Sequence, residues 1–173
     1  MMRARSCPGT AWPTGELQCR GLWVTGGYHN QPTDLEKFAA DGWLRTGDVA
    51  TIDADGYLRI ADRTKDLIKS GGEWISSVEL GNAIMGHAAV AEAAVIKISH
   101  PKWDERPLAV VVKKPGKEVT PEALRQLLLA HFAKWQVPDD FAFIDALPRT
   151  STGKFMKTRL RDQFKDWVSK TPS

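Results

Sequence analysis

The chain has 173 residues, of which 42% are hydrophobic and 26% charged, a composition typical of a soluble globular protein of one or two domains. Its net charge of +3, from 24 basic and 21 acidic residues, is too small to indicate nucleic-acid binding by itself. The two cysteines, Cys7 and Cys19, have no metal-type spacing, so we expect a reduced cytoplasmic setting and no metal site.

The first part of the chain is predicted to be rich in β-structure. Residues 1–13 contain arginines but no apolar run after them, so we interpret them as a disordered lead-in and not as a signal peptide. GELQCRG alternates like a short strand, and VATIDADGYLRIAD predicts a hairpin that turns at Asp55-Gly56, where a positive φ costs little. We expect a β-rich segment over residues 14–63 that is too small to close a core of its own.

The second part alternates between helix and strand patterns. DRTKDLIKSGG is typical of a joint between two regions. Ser76 and Glu79 have capping-box spacing before one predicted helix, and Thr120 followed by Pro121 begins a second. Strand patterns and a final amphipathic helix complete the segment, so we predict an α+β domain over residues 64–173. No stretch is apolar for long enough to span a membrane, and KTPS carries no peroxisomal or lipidation signal.

Two short stretches near the joint contain side chains that suit a nucleotide. Asp48, in RTGDVA, could accept hydrogen bonds from two hydroxyls of a sugar, although the local pattern favours an Asx turn. Arg63 stands with Lys65 in ADRTKDLI and suits phosphate or ribose oxygens because its guanidinium is planar and always charged. A solvated linker is the interpretation that the local pattern favours for this second stretch.

Two later stretches could also carry chemistry. In KSGGEWIS, two adjacent glycines allow a ligand to approach the backbone, and Trp74 offers a flat apolar surface. A turn with Trp74 in the core fits this pattern equally well. Lys154 ends a flexible, hydroxyl-rich loop and could stabilise charge that develops on a phosphate and a carboxylate. The alternative is a mobile surface lysine, so none of the four stretches identifies a function by itself.

Taken in order, the stretches resemble the C-terminal part of the adenylate-forming enzymes. The resemblance runs from about Thr14 to Phe164 and rests on DGWLRTGDVATIDADGYLRIADRTKDLIKSGGEWISSVEL, DERPLAVVV and LPRTSTGKFMKTRLR. This family comprises the acyl-CoA synthetases, with luciferases and peptide-synthetase adenylation domains as relatives, and KSGGEWISSVEL is most similar to ligases of medium- and long-chain fatty acids. The resemblance implies a small domain with a short mixed sheet flanked by helices, with its core at about 78–154. It also implies that residues 14–63 are a remnant of the larger AMP-binding domain.

The resemblance also implies a mechanism and the residues that serve it. In the family, a carboxylic acid attacks the α-phosphate of ATP, which is bound with Mg²⁺, to give an acyl-adenylate. Coenzyme A then displaces AMP after the small domain has turned about a hinge. Asp48 would hold the ribose hydroxyls, Arg63 would contact ribose or phosphate, and Lys65 would be the hinge. Lys154 would be the adenylation lysine. The path of the pantetheine arm would be lined by Ser70, Gly71, Gly72, Glu73 and Trp74.

The chain departs from the family pattern in what it lacks. The phosphate loop, the acyl pocket and the glutamate that holds magnesium belong to a larger N-terminal part with no counterpart in this sequence. We therefore expect a truncated or split gene product: a fragment of an ATP-dependent fatty acid–CoA ligase that is inactive alone. Its partners would be fatty acid, ATP and CoA in the complete enzyme, and a complementary N-terminal chain. Gly81 stands inside a predicted helix where the family often has glutamate, at a cost of about 1 kcal/mol relative to alanine.

Two other functions remain open on the sequence. One is a non-catalytic module, derived from this domain, that binds a partner chain or a CoA-like ligand. The other is a nucleic-acid module based on the basic residues between positions 149 and 165. It ranks last, because no aromatic side chains alternate with those basic residues apart from Phe155 and Phe164, so we expect no nucleic-acid partner.

Overall fold

The chain folds as two compact units. The structure is a computed structural model that describes residues 2–4, 14–27 and 35–167. Unit 1 is Met1–Lys65 and unit 2 is Asp66–Ser173. The division follows Lys65 and not Arg63, where we predicted it, because Thr64 still donates its backbone N–H to the Gly47 carbonyl of unit 1, at 2.9 Å.

Unit 1 contains an antiparallel sheet of four strands in the order β1-β2-β3-β4. These strands are β1 (Met2–Ala4), β2 (Thr14–Cys19), β3 (Leu44–Ile52) and β4 (Leu58–Arg63). The hairpin between β3 and β4 turns where predicted, with Gly56 at a φ of +87°. Pairing of β1 with β2 corrects part of the disordered lead-in that we expected over residues 1–13; residues 5–13 lie outside the described residues. A 3-10 turn spans Leu35–Lys37.

Unit 2 is the predicted α+β domain with a mixed sheet. Its strands are β5 (Ile68–Ser70), β6 (Glu73–Ile75), β7 (Val90–His100), β8 (Asp104–Lys113) and β9 (Asp140–Phe143), and its helices are α1 (Ser77–Met85), α2 (Pro121–Leu129) and α3 (Lys157–Gln163). A 3-10 turn spans Lys134–Gln136. The sheet order is β6-β5-β8-β7, with β9 parallel to β8 and the other pairs antiparallel.

The sheet of unit 2 is covered on both faces. One buried cluster joins Val95 and Val111 of the long hairpin to Leu80 of α1 and Leu124 of α2. A second cluster joins the alternate strand residues, such as Ile96, to α3. Because successive side chains of a strand point to opposite faces, β7 and β8 carry nearly continuous apolar runs. This three-layer arrangement holds the turns between the strands in fixed positions.

The two predicted helix starts are confirmed by their caps. Ser76 Oγ accepts the Glu79 N–H at 3.2 Å, and Thr120 Oγ1 accepts the Ala123 N–H at 3.2 Å. Pro121 occupies the first turn of α2, where its missing N–H costs nothing. The cap of α1, Ser76, follows directly after the last residue of β6.

Candidate functional site

Asp48 and Arg63 face each other across the β3–β4 pair of unit 1. They are register partners, and Arg63 Nε donates to Asp48 Oδ1 at 3.0 Å. The side chain of Asp48 is 24% exposed and that of Arg63 57%. Asp48 therefore forms an ion pair with Arg63, and among the described residues its carboxylate does not make the Asx turn that its local sequence favours. The other carboxylate oxygen and the terminal nitrogens of the guanidinium have no partner among the described residues, so the pair could accept the hydroxyl and phosphate groups of a nucleotide.

Lys65 lies at the boundary, between two segments that are each held by an ion pair. On its N-terminal side, Arg63 is paired within unit 1. On its C-terminal side, Asp66 accepts from Arg161 Nη1 of α3 at 2.7 Å, and both of these side chains are mostly buried. Lys65 itself is exposed, and among the described residues no hydrogen bond or ion pair of its side chain is found. The chain is thus held in each unit up to the residue next to Lys65.

The glycine turn, residues 70–74, connects β5 to β6 in unit 2. Gly71 and Gly72 have φ angles of +59° and +90°, which L side chains rarely adopt. Gly71 also packs against Trp103, since a Cβ at this position would lie 3.0 Å from the ring. Glu73 is exposed and Trp74 is 42% exposed, so Trp74 is not a core residue. Ser70 differs from the other four because its side chain is buried.

Ser70 is buried because it contacts Arg106, which sequence reasoning missed. Arg106 Nη1 donates to Ser70 Oγ at 3.1 Å, and its guanidinium is also paired with Asp139. The sequence signal that could have identified it is its place in DERPLAVVV, next to the apolar run of a strand. A charged residue that is buried with such a strand needs a buried partner. The partner Asp139 has no local signal in the sequence, because it comes from a segment 33 residues away.

Lys154 lies in a compact turn. Thr150 N–H donates to the Lys154 carbonyl at 2.8 Å, and Lys154 N–H donates to Thr150 Oγ1 at 3.1 Å. Arg149 and Phe155 form a bridge at the base of the turn, and Arg149 also pairs with Glu92 of β7. The Lys154 side chain is exposed and makes no hydrogen bond or ion pair with the described residues. Hydrogen bonds thus fold the backbone of this loop into a defined turn, from which the Lys154 side chain is exposed.

The structure thus brings Asp48 together with Arg63, and it joins the glycine turn to β8. No hydrogen bond or ion pair within the described ranges joins Lys154 to the glycine turn. The described part of the chain contains no group of three or more His, Cys, Asp or Glu residues placed to bind a metal ion. None of the helices in these ranges has the length and apolarity that crossing a bilayer requires.

Comparison with known families and sequences gives matches over nearly the whole chain. Residues 79–154 match the family described as AMP-binding enzyme C-terminal domain. The chain is 55% identical over 165 residues to a long-chain-fatty-acid–CoA ligase of Thermus thermophilus, which covers 94% of this chain and 30% of the ligase. It is also 55% identical, over 152 residues, to a 3-methylmercaptopropionyl-CoA ligase of Ruegeria lacuscaerulensis, covering 88% of this chain and 28% of that protein. The chain therefore spans less than a third of the length of these relatives.

The fold agrees with that of a solved structure, which has ATP bound. The ATP-bound structure of MatB from Rhodopseudomonas palustris superposes with a TM-score of 0.83 at 32% identity, over 94% of this chain and 33% of the MatB chain. This match includes unit 1 as well as unit 2, because it extends well beyond the residues of the family model. Both units are therefore arranged internally as in a known adenylate-forming enzyme.

Proposed function

The chain belongs to the adenylate-forming enzymes through its AMP-binding enzyme C-terminal domain, and we propose that it is the C-terminal part of an AMP-forming acyl-CoA synthetase. The reaction is ATP-dependent activation of a carboxylic acid followed by transfer to CoA. The observation that carries the proposal is the exposed ammonium of Lys154, which pairs with no described residue. It lies on a compact turn of unit 2, in a different unit from the Asp48–Arg63 pair.

In this proposal, unit 1 holds the nucleotide. Asp48 accepts hydrogen bonds from the ribose hydroxyls. Arg63 orients this carboxylate through its Nε, while its terminal N–H groups contact ribose or phosphate oxygens. Arg63 is suited to this because its Nε donates to Asp48, while its terminal nitrogens have no partner in the described part of the chain. Magnesium would accompany ATP, with its protein ligands in a part of the enzyme that this chain does not contain.

Lys154 acts in the first half-reaction and is not needed in the second. Its positive charge offsets negative charge that builds up on the attacking carboxylate and the α-phosphate. Rotation of unit 2 about Lys65 would then remove Lys154 and present the glycine turn, Ser70 to Trp74, to CoA. The ion pairs of Arg63 and Asp66 support this assignment, because they leave Lys65 as the residue without a side-chain bond between two fixed segments.

The acid is proposed to be a fatty acid, because similar relatives include a long-chain-fatty-acid–CoA ligase. A second relative with equal identity is a 3-methylmercaptopropionyl-CoA ligase, so the test below uses acids of several chain lengths. We propose that a complementary N-terminal chain completes the enzyme. Unit 1 supports this, since it exposes Leu22, Trp23, Tyr57 and Ile60, with Trp23 95% exposed. A cytoplasmic setting belongs to the same proposal, and the free thiol of Cys19 supports it.

The test is to exchange the matched region of the Thermus thermophilus ligase for this chain and to assay the chimera. We expect ATP–pyrophosphate exchange and acyl-CoA formation with at least one fatty acid in a series of chain lengths, and neither activity from the chain alone. The parent ligase is the control. A chimera that folds, as judged by circular dichroism, but shows no exchange with any acid would overturn the proposal, and so would clear exchange by the isolated chain.

The non-catalytic alternative, a module that only binds a partner chain, is tested in the same experiment. The isolated chain is mixed with the N-terminal part of the relative, without covalent connection. Restored ligase activity supports the enzyme fragment with a complementary chain. Stable association without any activity would favour the binding module.

A further inference from the structure

We propose that Arg106 is the positioning residue of the glycine turn, and that it fixes this turn to the segment Trp135–Asp139 so that the two move as one body. The inference rests on the proposed function for its link to CoA, because the glycine turn is the surface that we assign to the pantetheine arm. The claim that Arg106 fixes the turn to this segment, called the mechanical claim below, rests on the contacts of Arg106 alone. Arg106 itself does not touch substrate in this account.

Every N–H group of the Arg106 guanidinium has a partner. Nε and Nη2 each donate one hydrogen bond to a carboxylate oxygen of Asp139, at 2.6 and 2.9 Å. The other three N–H groups donate to Ser70 Oγ at 3.1 Å, the Trp135 carbonyl at 2.6 Å and the Val137 carbonyl at 3.1 Å. Guanidinium has five N–H donors, so none is left over. The residue is 7% exposed, and a charge this buried requires such a set of partners.

The residues just before Arg106 hold the same turn through its backbone. Gly71 N–H donates to the Trp103 carbonyl at 3.0 Å, and Lys69 N–H donates to Glu105 Oε2 at 2.8 Å. Ser70 and Asp104 form the one register pair between β5 and β8 in the described residues, so these two strands are joined over a very short pairing. A pairing of one residue is weak, and the side-chain contacts of Glu105 and Arg106 are what supplement it.

This arrangement explains why Ser70 is buried in a turn that otherwise faces solvent. The hydroxyl of Ser70 connects the exposed glycines to a guanidinium that is bound to three other residues of a separate segment. Gly71 and Gly72 have backbone conformations with few restraints of their own, so without this connection the turn could adopt several positions. A binding surface that must be presented after a domain rotation benefits from a fixed shape.

The mechanical claim is tested on the purified chain by amide hydrogen exchange, measured by NMR. Arg106→Lys keeps the charge but cannot make the paired contacts. We expect the Lys69 and Gly71 amides to exchange at least about tenfold faster than in the unmodified chain, since hydrogen bonds to charged groups are among the stronger ones. The matched control is Arg125→Met, because Arg125 donates to the carbonyls of Pro138 and Asp139 but not to Ser70.

Two results would overturn the mechanical claim. One is unchanged exchange of both amides in Arg106→Lys, and the other is an equal increase in Arg125→Met. If Arg106→Lys does not fold, Ser70→Ala takes its place, because it removes only the hydroxyl that Arg106 contacts. Faster exchange at Gly71 is again expected for it, and unchanged exchange would again refute the claim.

The link to CoA is tested with the same substitutions in the chimeric ligase. We expect Arg106→Lys to raise the KM for CoA by about tenfold or more while the rate of acyl-adenylate formation stays within about twofold. Loss of both half-reactions in equal proportion would show a merely structural role. A folded chimera with native Arg106 that forms no acyl-adenylate would refute the proposed function, whereas the exchange measurement on the chain would still decide whether Arg106 positions the turn.

Discussion

Gly81 offers a stability measurement that tests whether the buried face of α1 has room for a methyl group, as the helix propensity of alanine favours. It is buried in α1, where the helix packs against the backbone of β7. A glycine at such a contact often indicates that no side chain fits. A Cβ at Gly81 would, however, lie 3.7 Å from the Ala93 carbonyl oxygen and 4.0 Å from the Val95 nitrogen, which are ordinary van der Waals distances.

The expected gain for Gly81→Ala follows from two terms. Alanine is about 0.8–1.0 kcal/mol more favourable than glycine inside a helix. The added methyl group would lie in an open, mostly apolar pocket of about 110 Å³ and contributes up to about 0.8 kcal/mol more. We expect unit 2 to be stabilised by about 1–2 kcal/mol, which corresponds to a rise in melting temperature of at least about 4 °C for a domain of this size.

Urea unfolding followed by far-UV circular dichroism is the assay, because the described α-helices all belong to unit 2. The matched variant is Gly71→Ala, where the φ of +59° and the ring of Trp103 at 3.0 Å predict a loss of about 1–2 kcal/mol. A lower urea midpoint for Gly81→Ala would show that α1 cannot accept a methyl group against β7. It would refute the geometric argument for this position.

Three further predictions concern the packing that holds the site, and each is checked by the same urea titration. Arg161→Met removes a mostly buried ion pair next to the boundary and should cost unit 2 about 1.5–3 kcal/mol, whereas the exposed Arg159→Met should cost little; equal losses would argue against the pair. Leu124→Ala, at a fully buried position, should cost about 2–5 kcal/mol, and the outward-facing Leu129→Ala much less; the reverse order would contradict the packing of α2. Thr120→Ala removes the α2 cap and should cost about 1 kcal/mol, and no change in midpoint would mean that the cap contributes nothing.

Much of the fold could be predicted because its signals are local. The Ser76 and Thr120 caps and the turn at Gly56 depend on residues that are adjacent in the sequence, and all three are confirmed. The α+β class follows from the alternation of helix and strand patterns, and the mixed sheet followed from the family resemblance. The paired strand Met2–Ala4 was missed because three residues without an apolar alternation give no strand signal.

Less of the candidate site could be predicted from the sequence, because its side chains are held by contacts between residues far apart in the chain. Ser70 belongs by sequence to a turn that faces a ligand, yet its hydroxyl is occupied by Arg106, which is 36 residues away. Asp66 is part of a linker pattern, and only the fold shows its pairing with Arg161 across 95 residues. Side chains that form hydrogen bonds over such sequence separations leave no periodic pattern in the sequence. Their partners could therefore be identified only from the structure.

The central claim is that Lys154 supplies charge to the first half-reaction only, and separate measurement of the two half-reactions in the chimeric ligase tests it most directly. For Lys154→Ala, the account predicts that acyl-adenylate formation falls by about 10²–10³-fold, while CoA thioester formation from supplied acyl-adenylate is largely retained. The exposed Lys165→Ala is the control and should leave both rates unchanged. Equal loss of both half-reactions in Lys154→Ala, or loss of neither, would contradict the account.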